Sequence, residues 1–150
     1  MSDDRIEKAI EINAPAQKVW ELIVIPGWYI NDGEIRHHLI ENHDDGLSIV
    51  HDPMHGRFPF RTIKLEPPRH AVFRWEPEPD PDEESSFAPG GATLVEFWIE
   101  DRSDGGVLLR VAESGFASLV HTEAEQRRMV EQSAEGWEVE LEAAKTYLEG

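Results

Sequence analysis

The chain has 150 residues, 31 acidic against 14 basic, a formal net charge of −17 and no cysteine. A length of this order suits one domain, here spanning 1–150, and buries roughly 68–70% of the surface its unfolded form exposes. The charge excludes partners that demand a basic face: nucleic acid and anionic lipid surfaces are not expected.

No segment approaches the ~18 continuous apolar residues of a membrane span. The first residues, MSDDRIEKAIEI, lack the basic and apolar regions of a secretory signal. With disulfides also excluded, a cytoplasmic location is expected.

Glu7–Ile12 alternates charged and apolar residues, with Ile6, Ile10 and Ile12 on one face, which predicts a half-buried strand. Asn13-Ala14-Pro15 then reads as a helix start, with Val19, Trp20, Leu22 and Ile23 on the apolar side of a short helix. Pro26-Gly27 breaks it, and Gly27–Asp32 reads as a second short helix or turn carrying Trp28 and Tyr29.

From Glu34 to Glu113 the pattern is that of strands and turns. Ile35–Glu41, Leu47–Val50, Arg57–Glu66, His70–Glu76, Thr93–Asp101 and Val107–Glu113 are predicted strands. Turn residues separate them, as in Pro67-Pro68 and Ser103-Asp104-Gly105-Gly106. Strands this close, without intervening helices, argue for an antiparallel meander. Within it, Glu76–Ser86 (EPEPDPDEESS) is too rich in proline and negative charge for helix or burial, and reads as a solvated loop. It lacks the spacing and the glycine of an EF-hand calcium loop.

After Gly115 the period becomes helical as far as Leu148. Val130, Ser133, Trp137, Leu141, Ala144 and Leu148 form an apolar stripe, with Glu131, Glu135, Glu138, Glu140 and Glu142 mainly off it. Gly136 interrupts this helix at about 1 kcal/mol relative to alanine, which points to a close approach by another element.

Four motifs occur in an order that narrows the fold: Ala14-Pro15 with Val19-Trp20; Pro67-Pro68-Arg69 with Phe73 and Trp75; Glu113-Ser114-Gly115-Phe116; and Gly136-Trp137 with Leu141 and Tyr147-Leu148. In these the chain resembles the activator-of-Hsp90-ATPase-homologue-like proteins of the START/polyketide-cyclase/Bet v-like (SRPBCC) superfamily. The resemblance implies an α+β helix-grip fold: a seven-stranded curved antiparallel sheet around a long C-terminal helix, two short helices after the first strand, and an internal cavity.

Strand parity puts Ala71, Phe73 and Trp75 on one face, with Val95, Phe97 and Ile99 in the next strand and Val107, Leu109, Val111 and Glu113 in the last. If those faces meet the helix, Trp75, Phe97, Glu113, Phe116 and Trp137 converge, and Trp28 could close the space over them. The rings either line a pocket or fill a core. Glu113 stands out because an unpaired carboxylate on an apolar face is unfavourable and its pKa should rise. Arg61 is its expected partner, unless Glu113 ends its strand in solvent.

His51 and His55 lie in a loop and His37-His38 point to opposite faces, so no metal is expected. No cofactor motif is present, and no nucleophile elbow accompanies Ser114. The expected ligand-binding set is therefore Trp28, Arg61, Phe73, Trp75, Phe97, Glu113, Phe116 and Trp137.

Three functions follow. The first is binding of an apolar, aromatic or lipid-like small molecule, with a stress or regulatory role. The second is a cavity enzyme of cyclase, dehydratase or hydrolase type with Glu113 as acid/base, which ranks below binding. The third is chaperone contact, which also ranks below it: the chain begins at its first strand, without the separate domain through which the eukaryotic co-chaperones do much of their binding to Hsp90. Such domains can pair as homodimers, although no large apolar stripe outside the core demands it.

Overall fold

The computed structural model describes residues 5–54, 56–76, 92–119 and 122–150. Its strands are β1 (Arg5–Ile12), β2 (Leu39–Asn42), β3 (Leu47–Asp52), β4 (Gly56–Glu66), β5 (His70–Trp75), β6 (Thr93–Asp101) and β7 (Val107–Ser114). Helix α1 (Ala16–Ile23) follows β1, and helix α2 (Glu123–Glu149) closes the chain. The strands form one antiparallel sheet in the order β1-β7-β6-β5-β4-β3-β2.

The helix-grip architecture is the one the sequence predicts, with one helix after β1 instead of two. Gly27–Ile30 is a turn, in which Trp28 N–H donates to the Ile25 carbonyl (3.1 Å) and Ile30 N–H to that of Gly27 (2.9 Å). Gly27 has φ +73°, and a Cβ there would lie 2.9 Å from Val50 Cγ1, so only glycine fits.

The strand predicted over Ile35–Glu41 is shorter and starts at Leu39. The residues before it are diverted into side-chain bonding. Arg36 N–H donates to Asn31 Oδ1 (3.0 Å), its guanidinium reaches Asp52 (2.8 Å), and His38 Nε2 lies between the Ile30 carbonyl (2.8 Å) and Asp52 Oδ1 (3.0 Å). Both neighbours of that nitrogen are acceptors, so it carries the hydrogen.

The C-terminal helix does not run unbroken from Gly115. A single 3-10 turn, Phe116–Leu119, comes first, and α2 then starts at the N-cap Thr122, whose hydroxyl accepts from Glu125 N–H (3.1 Å).

The sequence alternation in β5, β6 and β7 puts Phe73, Phe97, Leu109 and Val111 on the face that meets α1 and α2, and all are buried. Most of the predicted acidic loop lies outside the described residues. Its first member, Glu76, is buried, contrary to expectation, and has a bonding partner.

Candidate functional site: a recess over Glu113

Glu113 is an inward position of β7, opposite Val95 of β6, and only 2% exposed. Three neutral donors hold its carboxyl. Trp75 indole N–H donates to Oε2 (3.0 Å), the Thr93 hydroxyl donates to the same oxygen (2.6 Å), and Trp137 indole N–H donates to Oε1 (2.8 Å). Burial raises the Glu113 pKa above its ordinary value, and these three hydrogen bonds pull against that rise.

The expected partner, Arg61, is elsewhere. It pairs with Arg74, which pairs with Leu94, which pairs with Ser114. That row is one residue out of phase with Glu113, so Arg61 points to the opposite face of the sheet.

Above Glu113 lies a recess of about 190 Å³ between α2, the end of β5 and the turn after α1. Trp75, Glu113 and Trp137 line it together with Tyr29, Asn31, Ser133, Gly136 and Glu140. Tyr29 is 8% exposed, its ring sits 4.5 Å from Trp137 and 5.1 Å from Trp75, and its buried hydroxyl has no hydrogen-bond partner among the described residues. Desolvation raises the Tyr29 pKa well above its ordinary value, and the charge of Glu113 adds to the rise.

Glu140, on α2, is buried although the sequence places it off the apolar stripe. Its Oε1 accepts from Asn31 Nδ2 (3.0 Å) and its Oε2 from Gly33 N–H (3.2 Å), which clamps the turn onto the helix. Burial is the largest influence on its pKa, which is raised.

The family model described as activator of Hsp90 ATPase homolog 1-like protein matches residues 13–149. The chain belongs to this family.

Solved structures share the fold at low identity. Protein MLL2253 of Mesorhizobium loti is 16% identical, with a TM-score of 0.67 over 96% of this chain and 96% of that one. The Aha1 dimer of Colwellia psychrerythraea is 18% identical, with a TM-score of 0.66 over 97% and 96%. CalU16 of Micromonospora echinospora is 16% identical, with a TM-score of 0.59 over 96% and 75%. No curated protein matches the sequence.

In this member of the family, three of the four resemblance-bearing motifs meet at the recess. The double-proline hairpin ends in Trp75, the E-S-G-F segment begins with Glu113, and Gly136-Trp137 comes from α2. A Cβ on Gly136 would meet nothing within 4 Å. This glycine therefore serves no close approach, contrary to expectation, and leaves the recess wall open.

The other predicted residues go elsewhere. Trp28, Phe73, Phe97 and Phe116 are at most 2% exposed and belong to the core, with Trp28 packed 5.6 Å from Phe97. Tyr29, Asn31, Ser133 and Glu140 were not singled out by sequence. The signals for them are the adjacency of Tyr29 to Trp28, the place of Ser133 on the α2 stripe and that of Glu140 beside it.

His51 lies 2.7 Å from Glu41, His55 is outside the described residues, and His37 rests 6.1 Å from the Tyr147 ring. Among the described residues no three metal-ligating side chains come together. No helix among them is long and apolar enough to cross a membrane.

Proposed function

We propose that this chain is a small-molecule-binding domain whose ligand enters the recess and is anchored at Glu113. The carrying observation is the buried carboxyl itself, wired to two tryptophans that line the same space. Convergent polar groups on aromatic walls are the usual make-up of a ligand pocket.

The volume sets the scale. A cavity of about 150 Å³ accommodates benzene, so about 190 Å³ is room for a single substituted ring.

The indole N–H groups of Trp75 and Trp137 are built-in reporters. In a nitrogen-15 NMR screen of ring-sized compounds, binding shifts both indole resonances, and Gly136→Leu, which fills the recess, abolishes the shifts. A screen that moves neither resonance sinks the proposal.

A second reading, general acid/base catalysis by Glu113, draws on the same burial-raised carboxyl, since a raised value suits proton transfer near neutrality. A turnover that survives Glu113→Gln unchanged would dispose of it.

A further inference from the structure

We propose that the recess takes a small organic cation, an ammonium or amidinium group on a compact apolar body, with Glu113 as its buried counter-ion. This rests on the recess being the binding site.

The first argument is hydrogen-bond inventory. All three groups bonded to the Glu113 carboxyl are donors, and Oε2 already accepts two of them. Each carboxyl oxygen thus accepts from an indole N–H, which can only donate, whereas the Thr93 hydroxyl can donate or accept; the two obligate donors favour the ionised form.

The second argument is charge. An ionised, buried carboxylate needs an opposite charge, yet Trp75, Thr93 and Trp137 are all neutral. Glu140 adds a second carboxylate to the wall, and no lining residue among those described is basic. Arg36, whose charge reaches Glu140, is engaged by Asp32 (3.2 Å) and Asp52 (2.8 Å). Among the described residues, two carboxyl groups line the recess and no cationic side chain does.

The third observation is independent of the acids. Tyr29 lines the recess with its hydroxyl buried and without a hydrogen-bond partner among the described residues. That oxygen and the remaining lone pair of Glu113 Oε1 offer two acceptors to one N–H-bearing cation. The rings of Tyr29, Trp75 and Trp137 suit such a guest, because aromatic walls favour cations over anions.

A matched series of one size separates charge from shape: benzylammonium, benzyl alcohol and benzoate, titrated against the full chain while the indole resonances are followed. The expected result is that benzylammonium binds at least about tenfold more tightly than benzyl alcohol, a difference of about 1.4 kcal/mol, and that benzoate binds weakest. Glu113→Gln and, separately, Glu140→Gln should each remove most of that preference, with folding verified by the rest of the spectrum. Glu131→Gln, an exposed change on α2, should leave it intact and so exclude general attraction to an acidic surface.

Equal binding of the ammonium and the alcohol overturns the cation inference while the binding site stands. A preference that survives both recess variants overturns it too. If none of the three compounds moves the indole resonances, the site itself falls and the inference falls with it.

Discussion

A carboxyl group withdrawn from water keeps its charge only as far as its neighbours replace that water, and at Glu113 two indoles and one hydroxyl do so. The replacement is incomplete, because burial still holds its pKa above the ordinary 4.5. A carboxyl with a raised folded value binds more protons folded than unfolded, so stability falls as pH rises from about 4.5 through that folded value.

Glu140 acts in the same direction; Glu66, Asp101 and Glu149, all lowered and exposed, act weakly in the other. Urea unfolding across this interval should show a steeper loss in the native chain than in Glu113→Gln; matching slopes would refute the assignment. The same variant leaves one indole without its acceptor and should cost about 1–3 kcal/mol. Gly136 makes the opposite prediction. With open space around its Cβ position and ordinary helical geometry, Gly136→Ala should stabilise the chain by up to about 1 kcal/mol in the same assay.

At the scale of elements, the recess depends on a turn without regular structure. Gly27 starts it, Asn31 bonds the Trp28 carbonyl (2.7 Å), and Glu140 grips its far end from α2. Gly27→Ala forces a left-handed alanine against Val50 and should cost at least about 1–2 kcal/mol. Since the turn carries Tyr29, the indole resonances of Trp75 and Trp137 should shift in that variant even without ligand; unchanged resonances would show that the turn does not shape the site. The segment after it is held by Arg36 and His38 on Asp52, which is why side chains rather than strand pairing determine its path until Leu39.

For the whole molecule, a net charge of −17 means self-repulsion in the compact state. Raising salt from about 0.01 M to 0.1 M shortens the screening length from about 30 Å to about 10 Å, so the unfolding temperature should rise over that range. A midpoint that falls would mean that the exposed ion pairs, such as Arg69 with Asp101 (2.8 Å), outweigh the repulsion.

The architecture was legible because periodicity is a local property. Alternation in Phe73–Trp75 and Thr93–Ile99, and the three-to-four spacing from Val130 to Leu148, state which faces turn inward wherever the chain goes. Strand parity even placed Glu113 on the buried side. Which inward groups meet which is not local. Arg61 and Glu113 are candidates for each other until register puts them on opposite faces, and Glu140, off the apolar stripe in sequence, is buried where Asn31 and Gly33 bond it. Trp28 and Tyr29 are neighbours in sequence and both pack in the core, but only Tyr29 also lines the recess, because packing between distant segments determines where each ring lies.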